Sequence, residues 1–475
     1  MNALLIVSLL VVYTVAAIII PTFGPPAAAL SIVCAGVAII GISQFKRTND
    51  FLVRLFAGAL AARVIVATII NFYDLQTFFG GDADTYDFFG WSLGKSWHGG
   101  AIYATYVNQF TSSGGSGWGM LYLVAGIYEL IGRNMFAVQL FNAVIGAATA
   151  VIIFRIANLI FDNVRVAWLA ALFVAFFPSL VLWSAQALKD GPIVFLLVLA
   201  MLATLKISEK FSIQYLILLA ASTLGLLTLR FYIFYMVLAA IAGSFVMGFR
   251  SFTARSFARQ FMVVIALGLT LMYLGVMRSA GQQYESFGNL KTVQRSRLDA
   301  SRSAESGFAQ DVDVSTTRGA IAAIPIGMFY LLFAPLPWQL TSLRQLITLP
   351  EMIVWWASFP LLVLGLWFSI KHKLRQIAPI LLFTTLLTLA YSVFQGNVGT
   401  AYRQRAQLLV FYFVFVAVGL VLFKERREDR KREMEAKKLA ARQTSRAFAP
   451  FKTPRDFTVK PAFQATTPVV PGDKR

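Results

Sequence analysis

Twelve apolar runs of about 16 to 21 residues, most of them long enough to cross the roughly 30 Å hydrocarbon core of a bilayer, leave this chain few alternatives. They cover 3–20, 26–43, 52–72, 135–154, 166–183, 191–206, 212–229, 231–249, 260–277, 351–370, 376–394 and 408–423. In lipid every backbone N–H and C=O must be satisfied inside the segment, so the runs read as helices and the fold class as an all-α polytopic membrane protein of about 12 transmembrane helices. Two further short apolar segments, Gly117 to Gly132 and Ala320 to Ala334, read as interfacial or re-entrant pieces, since a crossing by either would put basic linkers on both sides. The first run lacks a basic flank ahead of it and a small-residue cleavage site, so it reads as a retained helix and not a signal peptide.

The linkers orient the runs. Lys46, Arg47 and Arg54, then Arg155 and Arg165, then Lys206 and Lys210, then Arg250, Arg255 and Arg259, then Lys371, Lys373 and Arg375 all fall on one side of a twelve-span arrangement. The positive-inside rule makes that side cytoplasmic and puts both termini there. The net charge of +20 needs no nucleic-acid partner, since 15 of the 42 Lys and Arg follow Phe423 and most others sit between apolar runs. The chain divides into a membrane domain, 1–423, and a charged, partly disordered cytoplasmic tail, 424–475. Outer loops fall at about 73–134, 278–319, 335–350 and 395–407. A single cysteine, Cys34, excludes an intramolecular disulfide framework, and two histidines, His98 and His372, argue against a zinc enzyme.

The residues able to carry chemistry concentrate in those outer loops. GGDADTYDFF places Asp82, Asp84 and Asp87 where a helix leaves the bilayer, with Tyr86 between them. Carboxylates there can act as a general base or hold a divalent cation, or simply cap a solvated loop. Asp190, beside Lys189, precedes Gly191-Pro192; it is either a helix cap or a second acid of the same site. Arg403 and Arg405 in TAYRQRAQ run against the positive-inside bias, and guanidinium forks suit phosphate oxygens at headgroup level, though a lipid-headgroup snorkel is the plainer alternative. Arg230, in TLRFYIFY, should sit at a helix end or point into a cavity, because a charge at a helix centre costs about 2.5–3.5 kcal/mol. The polar stretch Arg278 to Arg318 reads as a lid, or as a sugar-binding loop using Tyr284, Asn289 and Gln294; Trp338, Trp355 and Trp356 read as an interface belt.

This constellation resembles the polyprenyl-phosphate-dependent C-type membrane glycosyltransferases, the group of the protein O-mannosyltransferases and aminoarabinose transferases. The likeness rests on the D-x-x-x-Y of Asp82 to Tyr86 after an early span, and on two spans joined by a short basic turn and ending in Asp190, within residues 80–205. It implies inverting transfer of a sugar from a polyprenyl-phosphate donor to a glycan, lipid or protein acceptor on the outer face of the cytoplasmic membrane. Candidate catalytic residues are then Asp82, Asp84 and Asp190, and candidate substrate-binding residues Tyr86, Lys189, Arg230, Arg403 and Arg405. The family often carries Glu directly after the first Asp; here Ala83 stands there and Asp84 follows, which leaves two candidates for the base. No cofactor is called for beyond an optional divalent cation on Asp82 and Asp84. The short helices and the absence of a eukaryotic retention signal suggest a bacterial inner membrane. An O-antigen or exopolysaccharide polymerase or ligase is the nearest alternative, and a flippase of lipid-linked saccharide a more distant one.

Overall fold

A computed structural model of the chain describes residues 2–44, 49–112, 117–247, 289–302, 306–340 and 342–447; the apolar run 260–277 and Tyr284 lie outside them. The described residues form helices and no strands, with one isolated bridge between Gly307 and Asn397. In chain order the helices are α1 (Asn2–Ile19), α2 (Gly24–Ser43), α3 (Asn49–Phe72), α4 (Gln76–Phe79), α5 (Asp82–Trp97), α6 (Ala101–Ser112), α7 (Trp118–Ile131), α8 (Met135–Phe161) and α9 (Val164–Phe176). They continue with α10 (Pro178–Ser184), α11 (Asp190–Glu209), α12 (Ile213–Met247), α13 (Leu290–Arg302), α14 (Thr317–Phe333), α15 (Leu343–Leu346), α16 (Leu349–Phe394), α17 (Val398–Gln404) and α18 (Ala406–Ala447).

Seven described helices are long and apolar enough to cross a membrane, or eight if α9 and α10 form one bent span. That differs from the twelve runs of the sequence partly because α12 and α16 each hold two of them. An α-helix of 35 residues would be about 50 Å long, well beyond the hydrocarbon core. Each of the two is interrupted by one non-helical residue, Arg230 (φ −160°, ψ 85°) in α12 and Lys373 (φ −132°, ψ 21°) in α16. Helices α7 and α14, at 14 and 17 residues, stay short, and Pro325 lies inside α14.

Capping is economical where spans follow closely. Between α8 and α9, Asp162 takes a left-handed conformation (φ 48°) and Asn163 accepts from the amides of Arg165 and Val166, so two residues reverse the chain. Between α9 and α10 the chain breaks instead. Phe177 precedes Pro178 and is held extended (φ −66°, ψ 125°), giving a 55° bend. The break frees the carbonyls of Val174 and Ala175 and the amide of Ser179, none of which can be left bare in lipid. Arg63, buried inside α3, donates from Nη1 to Ala175 O at 2.8 Å and from Nη2 to Val174 O at 3.3 Å. It also reaches Ser184 Oγ and Ala59 O. The Ser179 amide donates to Glu351 Oε2 at 2.7 Å. A buried cation and a buried anion thus satisfy the two sides of one broken helical turn.

Packing runs from α1 and α2 through α3 and α8 to α9 and α11, then through α12 to α16. In lipid, close backbone approach through small residues replaces the hydrophobic drive. An added Cβ at Gly365 would lie 1.8 Å from the Phe415 carbonyl oxygen, and one at Gly419 would lie 2.0 Å from that of Leu361. The chain divides into two units, Met1–Leu422 and Phe423–Arg475; the described part of the second is helical and solvent-exposed from Phe423 through residue 440. We expect Gly365→Ala and Gly419→Ala each to lower stability by about 1–3 kcal/mol through overpacking. Thermal unfolding of detergent-purified protein checks this, with Gly126→Ala, where an added Cβ meets open space, unchanged.

Candidate active site

Asp190 opens α11 and is only 1% exposed. Its position follows from a short chain of causes. The α9–α10 bend leads into a non-helical turn over residues 185–189, and Asn142 of α8 holds that turn by donating from Nδ2 to Gln186 O at 2.7 Å and to Leu188 O at 2.9 Å. Lys189 and Asp190 are thereby presented at the start of α11, where free amides and the helix dipole favour a carboxylate.

Two cations converge on that carboxylate from distant segments. Arg403 of α17 donates from Nε to Asp190 Oδ2 at 2.6 Å, and its Nη2 lies 2.6 Å from the same oxygen. Its Nη1 donates to Asp82 Oδ2 at 2.7 Å. One guanidinium therefore bridges the two carboxylates. Arg230, freed to turn inward by the break in α12, brings Nη2 to 3.6 Å from Asp190 Oδ1. Asp190 Oδ1 and Arg230 Nη1 both lack a hydrogen-bond partner although buried. Beneath Arg403, Trp183 of α10 lies 5.8 Å from the guanidinium carbon and shares with Asp190, Arg63 and Ser184 the wall of a cavity of about 20 Å³, room for a single water.

Tyr86 and Lys189 complete the cluster. The Lys189 ammonium lies 5.8 Å from the Tyr86 ring centroid, and both crowd Gly117, where an added Cβ would come within 2.9 Å of Lys189 Nζ and 3.3 Å of the Tyr86 hydroxyl. Gly117 also has φ +108°, so no other residue suits the position. Burial, helped by the Arg230 charge, pulls the Lys189 ammonium down to about 8, while burial pushes the Tyr86 phenol up and keeps it protonated. Burial alone would lower Arg403, but Asp190 and Asp82 outweigh it and hold the guanidinium charged.

The structure separates the remaining candidates from this cluster. Two residues along a helix turn a side chain through roughly 200°, so Asp84 leaves α5 away from Asp82 and is raised by burial and by the charges of Asp74 and Asp87. Asp87 pairs with Arg133 and Tyr128. Arg405, two residues from Arg403, turns into the core and donates to the carbonyls of Leu331 and Ala334. Asn289 and Gln294 are used within the polar segment, capping α13 and accepting from the Val314 amide. Trp355 and Trp356 donate to the carbonyls of Leu332 and Phe333 at the end of α14, Trp355 fully buried and Trp356 partly so. Sequence reasoning passed over Trp183 and Arg63; the signal for Arg63 was a charge inside an apolar run.

The chain matches the family model described as dolichyl-phosphate-mannose-protein mannosyltransferase over residues 117–275, about a third of its length. A comparison with curated proteins finds no match. The matched stretch holds Gly117, Trp183, Lys189, Asp190 and Arg230, whereas Asp82 and Arg403 lie outside it.

Removing Arg403 leaves Asp190 buried with only the longer Arg230 contact and Lys189. Arg403→Ala should destabilise toward the lower end of about 3–5 kcal/mol, and combining it with Asp190→Asn should recover most of that loss. Thermal unfolding of the four variants forms the cycle; strictly additive losses would remove the charge argument. The protein is thus a multi-pass membrane protein whose residues 117–275, with Lys189, Asp190 and Arg230 among them, are similar to the dolichyl-phosphate-mannose-protein mannosyltransferase family.

Proposed function

We propose that the cluster around Asp190 transfers a sugar from a polyprenyl-phosphate donor to a hydroxyl acceptor with inversion, at the outer face of a bacterial cytoplasmic membrane. The observation that carries the reading is the bridge made by Arg403 between Asp82 and Asp190, beside Arg230 and Lys189. Two carboxylates against three cations leave one positive charge in excess, which suits an anionic phosphate.

In this reading Asp82, the more exposed of the two bridged acids, takes the proton of the acceptor hydroxyl. The oxygen attacks C1 of the sugar from the face opposite the phosphate, the C1–O bond to phosphate breaks, and polyprenyl phosphate leaves with the bonding pair. Arg403, Arg230 and Lys189 meet the charge that develops on the leaving phosphate. Asp190 orients Arg403 and Arg230 and is itself too buried to reach an acceptor. Arg403 engages Asp82 Oδ2, so in this reading the guanidinium supplies the positive charge beside that carboxylate. A polymerase or ligase reading would leave the Asp82–Arg403 bridge without work to do.

The segments that form the cluster are the ones that the charge distribution places opposite the basic linkers, which supports an outer-face site and cytoplasmic termini. The acceptor class is a glycan, lipid or protein hydroxyl.

Transfer of labelled sugar from a polyprenyl-phosphate pool in membranes tests the reading: Asp82→Asn should lose transfer by at least about 100-fold, the range of a general base, and Asp84→Asn should keep it. Equal retention by both variants would sink the assignment. Because Lys189 loses its proton as pH rises through about 8, donor KM should climb above that pH, and Lys189→Arg should flatten the climb. A KM independent of pH between 7 and 9 would remove Lys189 from the phosphate site.

A further inference from the structure

A carboxylate outside the cluster ties its two halves together. Glu351, in the first turn of α16, is 5% exposed. Its Oε2 accepts from the Ser179 amide at 2.7 Å and from the Tyr402 hydroxyl at 2.9 Å. Ser179 lies in the first turn of α10, whose other end carries Trp183 and leads to Lys189 and Asp190. Tyr402 is the immediate neighbour of Arg403 on α17, and its ring meets Trp183 edge-on at 6.3 Å. One oxygen thus joins the element that delivers Asp190 to the element that delivers Arg403.

We propose that Glu351 is a positioning residue for the transfer reaction, locking α17 against α10 so that the Arg403 guanidinium stands at the distance that spans Asp82 and Asp190. The proposal rests on the reading of the Asp190 cluster as the phosphate-binding site. Its logic is geometric. A guanidinium that must meet two carboxylates at 2.6 and 2.7 Å tolerates little drift, and α17 is a seven-residue helix that cannot hold its own register. Asn397 caps it at one end; Tyr402 is the tether beside the working residue. Both bonds end on the same buried oxygen, so a change at Glu351 reaches α10 and α17 together. With Oε2 already shared by two donors and the side chain buried, Glu351 acts through Arg403 and not on substrate.

The test reads the affinity of the full-length protein, reconstituted in lipid nanodiscs, for a polyprenyl monophosphate, together with sugar transfer in the same preparations. Tyr402→Phe, which removes one hydrogen bond and keeps the ring, should weaken phosphate-lipid binding by about tenfold. Glu351→Ala should weaken it further, and Glu351→Gln, which keeps an acceptor oxygen, should recover most of the affinity. The distinguishing result is the background dependence. In Arg403→Ala protein, Tyr402→Phe should cost nothing more, because its effect travels through Arg403. A loss that persists there would make Tyr402 and Glu351 merely structural and overturn the proposal. So would wild-type affinity in folded Tyr402→Phe and Glu351→Ala. If wild-type protein neither binds the phosphate lipid nor transfers sugar, the reading of the cluster fails and this inference falls with it. If wild-type activity is intact and Asp82→Asn abolishes it while the Glu351 variants remain normal, only this inference is lost.

Discussion

A carboxylate buried at the start of a membrane helix sets the terms for the rest of this structure. Desolvating Asp190 costs several kcal/mol unless cations stand against it, and α11 itself supplies only its dipole and the neighbouring Lys189. The other charges have to come from elsewhere in the chain, and they come from Arg403, 213 residues away, and from the break in α12 that turns Arg230 inward. Arg403 then has a free edge, and Asp82 occupies it. The cluster is therefore both a stabilising arrangement for one buried acid and a cationic pocket with one positive charge to spare.

The bend at Phe177–Pro178 is the second constraint, and it shares its solution with the first. Breaking a helix inside lipid exposes two carbonyls and an amide, and the chain answers with Arg63 on one side and Glu351 on the other. Each of these charges costs energy to bury, yet each removes a backbone group from an environment where it could find no other partner. The bend earns its place by reaching the site: it carries Trp183 under Arg403 and starts the turn that Asn142 holds in front of Asp190. Backbone satisfaction and site geometry are in this way the same set of contacts.

Much of this was legible from residue types in order. Apolar run length announced the helices, and arginines set at the ends of apolar runs, against the positive-inside bias, made Arg230 and Arg403 conspicuous. Other features were not legible. Asp82 and Asp84 are chemically equal in a string of letters; only the 100° step of a helix tells them apart. Arg403 and Arg405 look like a pair in TAYRQRAQ, yet one faces Asp190 and the other binds the Leu331 and Ala334 carbonyls, because two residues along a helical backbone turn a side chain through roughly 200°. Glu351 in PEMIVWW gave no sign of its role, since both of its partners lie far off in the chain.

What the sequence determined by itself was the helical, membrane-embedded character of the protein and the set of polar residues that could not face lipid, because both follow from the composition of local segments. Which of those residues meet, and at what distance, was decided by tertiary structure. Ion pairs such as Arg403 with Asp82 span 321 residues, and a contact of that separation depends on the packing of many intervening helices, which no local pattern of hydrophobicity or charge encodes.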